Sequence, residues 1–366
     1  RRWYFVLRHG RVGRCQEFYS TQFILYLFYC SIFFNYYNLL FKMKKYNNAI
    51  VTGGAGFIGS HMVDLLLKKK FKVTVIDNFI GGHKKNLLHQ KKNKNLTIVN
   101  KDILSLNKNR KIFKDIDFIF HFAGLGDLIP SIENPSKYME TNIQGTIRML
   151  EAARHNNVKK FIYAASSSCY GIYNFRTKEN TKINPQHPYA LSKLLGENAV
   201  MHWNKVYNLP VISLRIFNAY GPRVRTTGVY GAVFGVFFKQ KLRKKPLTVI
   251  GNGQQSRDFI YISDVVSAFY KAAISKKSGE IYNLGSDNPK SINKLANLIG
   301  GDIVYIPNRP GEPKTTWANI EKIKKDLKWK PKVKFEIGVK KMLTNINDWA
   351  LAPLWSPKTI KKATKD

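Results

Sequence analysis

The sequence predicts an α/β protein built on a Rossmann-type, doubly wound parallel sheet, with a smaller C-terminal α/β domain for substrate. Three observations predict it. A glycine-rich turn, Thr52-Gly53-Gly54-Ala55-Gly56-Phe57-Ile58-Gly59, lies between an apolar run and a helical segment. Strand-like and helix-like segments then alternate as far as Ile216. After Phe217 that rhythm gives way to glycine-, proline- and aromatic-rich sequence.

Short apolar and β-branched runs bounded by turn residues place strands at Ala49 to Thr52, Lys72 to Ile76, Leu96 to Val99, Asp117 to Phe122, Lys160 to Ala165 and Val211 to Ile216. Apolar residues at helical period place helices at Ile58 to Lys70, Tyr138 to Asn156 and Tyr189 to Tyr207. An all-parallel sheet takes its ligand at the carboxyl ends of the strands. The glycine turn sits at the first such end. Gly54, Gly56 and Gly59 fit G-x-G-x-x-G, the pattern in which missing side chains allow a tight turn, approach of backbone to a pyrophosphate, and close packing of helix on strand. The anion rests on the positive end of the helix. Gly53, Gly56, Phe57, Ile58 and Gly59 are therefore cofactor candidates. Asp77 ends the second strand, where a carboxylate about 20 residues on bonds a ribose 2′-hydroxyl. It would repel a 2′-phosphate, so the expected cofactor is NAD rather than NADP. Asn78 adjoins it; Asp102 and Ile103, then Ala123 and Gly124, follow the next two strands and line the adenine and ribose.

Composition sets the remaining bounds. The 366 residues are 44% apolar, enough for a real core. Cys15, Cys30 and Cys169 are too few and too scattered for a disulfide framework or a metal site, which fits a reducing cytosol. The formal charge of +38 raises nucleic acid or anionic lipid as partners. Yet the lysines fall in short groups such as Lys68-Lys69-Lys70 and Lys324-Lys325, with no basic stripe interleaved with aromatics. Solvated faces and a lysine-rich genome account for them, so no nucleic-acid partner is expected.

Residues 1–42 differ from the rest in using arginine over lysine. They are read as an extension ahead of a natural start at Met43, with Phe23 to Phe41 as a membrane anchor in the alternative reading. Residues 43–216 form the cofactor domain, which 258–285 rejoins; 217–257 and 286–349 form the substrate domain, and 350–366 a tail.

The chemistry centres on Tyr189-Ala190-Leu191-Ser192-Lys193, after Ser166-Ser167-Ser168 at a strand end. Tyr189 and Lys193, four apart, share one helix face. An ammonium beside the phenol, with a nicotinamide charge near, favours the phenolate and makes Tyr189 a base for a sugar hydroxyl. A strand-end serine steadies the charge on the same oxygen.

These motifs, with Asp77-Asn78, His121-Phe122-Ala123-Gly124, Asn142, Arg215 to Pro222, Arg257 to Tyr261 and Arg309-Pro310-Gly311-Glu312, resemble the extended short-chain dehydrogenase/reductase family of nucleotide-sugar epimerases and dehydratases, and most of all its UDP-glucose 4-epimerase branch. The resemblance covers Met43 to Trp349. It implies catalysis by Ser166, Tyr189 and Lys193, with Asn142, Tyr189, Lys193 and Phe217 also touching NAD. It implies a substrate site of Ser166, Asn218, Arg257, Arg309, Glu312 and a small gating residue, Thr316, that admits an N-acetyl group. Dehydratases and decarboxylases of the family carry an acid just after the catalytic Ser or Thr, where this chain has Ser167-Ser168. That favours reversible oxidation and C4 epimerisation in the cytoplasm, by a homodimer, in polysaccharide precursor synthesis. The alternatives are another nucleotide-sugar epimerase, a dehydratase, a decarboxylase or a reductase, and, from another class, a non-catalytic RNA-binding relative.

Overall fold

The computed structural model describes residues 48–108, 111–224, 233–308, 313–352 and 354. The extension 1–42 with its apolar run, the Met43 start, Arg309, Glu312 and nearly all of the tail 350–366 lie outside the described residues. Among the described residues, no helix is long and apolar enough to cross a membrane.

Strands β1 (Asn48–Thr52), β2 (Lys72–Asp77), β3 (Leu96–Asn100), β4 (Phe118–His121), β5 (Lys160–Ser166) and β6 (Val211–Ile216) come first. After them come β7 (Asn218–Tyr220), β8 (Leu247–Ile250), β9 (Ser256–Arg257), β10 (Phe259–Tyr261), β11 (Glu280–Leu284), β12 (Lys290–Ser291) and β13 (Ile303–Ile306). Seven of them make one sheet in the order β11-β6-β5-β4-β1-β2-β3, every pair parallel. The strand order reverses at β1, whose two neighbours are β2 and β4, and such a switch opens a crevice at the carboxyl ends. Thr52 and His121, paired in register, mark its floor.

The sheet is parallel because its strands are apolar on both faces. All four residues of β4 and all seven of β5 are buried, so helices must cover both sides. The helices are α1 (Phe57–Lys68), α2 (Leu128–Glu133), α3 (Pro135–Met139), α4 (Gly145–His155), α5 (Pro188–Tyr207), α6 (Val233–Leu242), α7 (Ile262–Ile274), α8 (Ile292–Ile299), α9 (Glu321–Leu327) and α10 (Phe335–Leu343). Met149, Leu150 and Ala153 of α4 and Val200 of α5 join Ile50, Ile119, Phe161 and Val211 in one core cluster.

The segment expected as a single helix over Tyr138 to Asn156 is divided. Between α3 and α4 lies a π-helical turn, Glu140–Gln144. The wider turn shifts the register of the side chains, and Asn142, a polar residue, becomes buried in the crevice wall. Beyond β6, β10 pairs with β7 outside the main sheet, while β11 returns to its edge beside β6.

A buried ion pair ties these parts together. Arg215 of β6 forks Glu197 of α5, with Nε and Nη2 each 2.6–3.1 Å from the carboxylate oxygens. Ser213 donates to the same carboxylate at 2.7 Å, and Arg215 Nη1 donates to the Tyr170 hydroxyl at 2.8 Å. Tyr170 in turn donates to Asn283 of β11. The side chains of Arg215 and Glu197 are only 5% and 2% exposed. Removing one partner strands a buried charge. Glu197→Ala is therefore expected to lose about 3–5 kcal/mol of stability in urea unfolding; a loss below about 1 kcal/mol would contradict this account.

Candidate active site

The glycine turn is shaped by approaches that no side chain permits. A Cβ on Gly59 would lie 2.1 Å from the Gly53 carbonyl oxygen, and one on Gly54 would lie 2.8 Å from both Val75 methyls. Gly53 has φ +65° and would press its Cβ against Ala123. Helix α1 starts at Gly56 with no side-chain cap and no acidic residue in its first turn, so the N–H groups at its positive end are left for an anion.

Asp77 is nearly buried at the end of β2 and holds the turn from beneath. Its Oδ2 accepts from Ala55 N at 2.9 Å and its Oδ1 from Phe79 N at 2.8 Å. Burial raises its pKa, and the two N–H donors oppose that rise. Asn78 Nδ2 donates to Asp102 Oδ2 at 2.8 Å, and Asp102 caps the short turn Ile103–Ser105 through Leu104 N. The segment after Asn78, for which no motif predicts a role, folds back over the turn. His83 N and Asn86 Nδ2 both donate to the Ala55 carbonyl, and Gly82 packs on Ala55 and Asp77. Its one local signal is the pair Gly81-Gly82.

Across the switch point, His121 is fully buried between two threonines. Its Nδ1 lies 2.7 Å from Thr52 Oγ1 and its Nε2 3.0 Å from Thr146 Oγ1. Thr146 donates its proton to the Asn142 carbonyl, so it accepts from His121, and the proton of the neutral ring sits on Nε2. Thr52 then donates to Nδ1 and accepts from Ala123 N at 3.3 Å. Burial, with the Lys193 charge second, lowers the His121 pKa to about 3.

Asn142 joins the two halves of the crevice. Its side chain bonds both the N–H and the carbonyl of Leu125, fixing the Ala123-Gly124-Leu125 strand end, and donates to Ser192 Oγ at 2.9 Å. Ser192 lies in the first turn but one of α5, between Tyr189 and Lys193. The structure brings Tyr189 near Ser166, whose side chain acts to hold the phenol's pKa down. Ser168 Oγ instead accepts from Ser166 Oγ at 3.1 Å, so Ser166 is the serine at the phenol.

Lys193 lies on the same face of α5 as Tyr189 and is buried. Its Nζ sits 4.3 Å from the centroid of the Tyr163 ring. Burial brings it down to about 7, opposed by Glu197 one turn on. Tyr189 itself is pushed up by burial, with Asp127 and Cys169 adding to the rise and the Ser166 bond opposing it. Within the protein alone, burial thus favours the protonated phenol.

On the far side, Asn218 and Thr316 meet directly, Thr316 Oγ1 donating to Asn218 Oδ1 at 2.7 Å and accepting from Asp258 N. Arg257 Nη1 donates to the Ser256 and Pro313 carbonyls. The adjacent Asp258 carboxylate accepts from Ser286, Asp287 and Ala318, which anchors the loop after β11. Phe217 is buried at the end of β6, against Tyr170.

The sequence profile of a family described as GDP-mannose 4,6 dehydratase matches residues 50–342. A UDP-glucose epimerase of Bacillus subtilis, itself uncharacterized, is 36% identical over 305 residues, covering 79% of this chain and 95% of its own. The UDP-N-acetylglucosamine 4-epimerase of Methanobrevibacter ruminantium, solved with UDP-N-acetylmuramic acid, superposes with TM-score 0.77 at 34% identity over 82% of this chain and 99% of that one. The UDP-glucuronic acid 4-epimerase of Bacillus cereus, solved with UDP-glucuronic acid and NAD, does so with TM-score 0.76 at 33% identity and the same coverage.

The buried imidazole has a measurable signature. The unfolded chain binds a proton at His121 from about pH 6.5 downward, the folded one only near 3, so stability is lost as pH falls through that interval. The His121 contribution reaches about 1.4 kcal/mol per pH unit. In urea titrations between pH 7 and pH 5, His121→Asn is expected to lose less stability than the parent, whatever its absolute stability. Equal slopes would show that His121 is not buried neutral.

Proposed function

The chain belongs to the GDP-mannose 4,6-dehydratase family of extended short-chain dehydrogenases/reductases, and we propose that within it the protein epimerises a UDP-hexose at C4, with NAD as its resident cofactor. The observation that carries this reading is Ser166 bonded to Ser168, at the strand end beside Tyr189, with no acid at the positions that follow it. Elimination or decarboxylation would ask for an acid at those following positions, and two serines offer none.

The glycine cradle, the uncapped start of α1 and the Asp77 carboxylate suit NAD. Gly53, Gly56, Phe57, Ile58 and Gly59 would hold its pyrophosphate, and Asp77, Asn78, Asp102 and Ile103 its adenosine end. Ala123, Gly124, Asn142 and Phe217 would border the nicotinamide half with Tyr189 and Lys193. Bound there, NAD supplies the acceptor and donor of hydride at C4. Tyr189, as phenolate, takes the proton of the 4-hydroxyl and returns it to the same oxygen after the keto sugar has turned its other face. Ser166 donates a hydrogen bond to that oxygen. Lys193, when protonated, favours the phenolate.

Residues 43–216 with 258–285 form the cofactor half in this reading, and 217–257 with 286–349 the nucleotide-sugar half. Asn218, Arg257, Arg309 and Glu312 would take the UDP moiety, the guanidinium groups forking phosphate oxygens. Thr316 is small and its hydroxyl is engaged by Asn218, which leaves room for a 2-N-acetyl group. Two copies would pair along α5, where Leu191 and Leu195 are each 38% exposed, while Val200 of the same helix is fully buried in the core. A cytoplasmic setting agrees with Cys169 as a buried free thiol.

Protein begun at Met43 and given NAD with UDP-glucose, UDP-N-acetylglucosamine, UDP-glucuronate or dTDP-glucose is expected to form a C4 epimer without net NADH. A 4-keto-6-deoxy sugar or a pentose would overturn the reading. Tyr189→Phe should lower kcat by about a hundredfold or more, while calorimetry finds UDP binding within threefold of the parent.

A further inference from the structure

We propose that His187 is a positioning residue for Tyr189, acting as a neutral imidazole that at once caps the helix carrying the tyrosine and stacks on its ring. The inference rests on the 4-epimerase reading for the task of Tyr189, and on three contacts for its own part.

The first contact is the cap. His187 is extended (φ −154°, ψ 161°), and its Nδ1 accepts from Ala190 N at 3.2 Å, the bond that serine, threonine, asparagine or aspartate ordinarily supplies at this position. Imidazole can make that bond only while Nδ1 carries no proton, so the ring proton is on Nε2. The second contact is the stack. The His187 and Tyr189 rings lie 5.8 Å apart between centroids and within 9° of parallel, inside the range of offset stacking. The third is Pro188, which occupies the first helical position between them and fixes the backbone there. One side chain therefore sets both where α5 begins and the plane of the Tyr189 ring.

Serine could cap the helix without stacking, and phenylalanine could stack without capping; histidine does both, with a titratable group. Tyr189 is the titratable group that faces it. Burial alone lowers the His187 pKa from its ordinary value, and no charged group among the described residues adds to that shift. Asp127, at the start of α2, bears on Tyr189 instead. Protonation would turn Nδ1 from acceptor to donor against Ala190 N–H and place a cation at the positive end of α5. Both effects release the cap. The positioning of Tyr189 is then lost in acid, independently of the ionisation of Tyr189 itself.

The test uses the whole chain with NAD and UDP-glucose or UDP-N-acetylglucosamine, whichever is turned over. His187→Ser and His187→Phe are each expected to lower kcat about tenfold with KM changed less than threefold, because the nucleotide is held elsewhere. As pH falls through the titration point of His187, kcat of the parent should fall about tenfold further than that of either variant, after which the three profiles run parallel. Unchanged kcat and an unchanged acid profile in both variants would overturn the proposal. Thermal melting within a few degrees of the parent in at least the capping variant, His187→Ser, separates this from misfolding. An activity-free readout decides the matter even if no hexose is turned over and the functional reading fails. Long-range proton–nitrogen spectra of the imidazoles should show His187 as the Nε2–H tautomer, titrating below pH 6.5 and shifted in Tyr189→Ala, which removes the stacked ring. An Nδ1–H tautomer, or a titration blind to Tyr189, would refute the proposal.

Discussion

The contact on which the structure most depends is the one between Gly59 and the Gly53 carbonyl, a distance that even a methyl group would destroy. It lets α1 begin directly above the end of β1. From there follow the exposed N–H groups at its start, the seat of Ala55 on Asp77, and the fold-back of the segment through His83 and Asn86. Each of these hydrogen bonds is of ordinary strength. Their shared dependence on one close approach makes the turn a unit rather than a set of separable contacts.

Asn142 does for the catalytic side what the glycines do for the anion side. Its amide satisfies the N–H and the carbonyl of Leu125 and reaches Ser192, so the strand end after β4 and the helix of Tyr189 and Lys193 cannot shift independently. The π-helical turn between α3 and α4 is the device that brings Asn142 inward, against α5. Beneath it, the Glu197–Arg215 pair fastens the same helix to β6, one turn beyond Lys193.

What was legible in the sequence is what local spacing encodes. The turn, the carboxylate at the end of β2, and the serine, tyrosine and lysine of the crevice all stand where period and motif place them. The segment 79–86, the Asn142–Ser192 link and the cap by His187 were not legible. The first two depend on partners far apart in the chain, and the third on a histidine doing work that pattern assigns to serine or aspartate. Burial was not legible for a related reason: spacing shows that a lysine shares the face of Tyr189, while burial, which spacing does not show, raises the phenol and lowers the lysine in the protein alone. Arg309 and Glu312 lie outside the described residues, so their part rests on resemblance alone.

The direction of the hydrogen bonds through His121 has a further consequence. Thr52 donates to the ring, the ring to Thr146, and Thr146 to the carbonyl of Asn142, where the series stops. A carbonyl oxygen has no proton to hand on, so this line of groups is a dead end for proton conduction from the crevice floor toward the helices behind it. A reaction that must export or import protons would be poorly served by such a floor. One that lifts a proton and sets it back on the same oxygen needs no conduit at all, and loses nothing to a sealed wall.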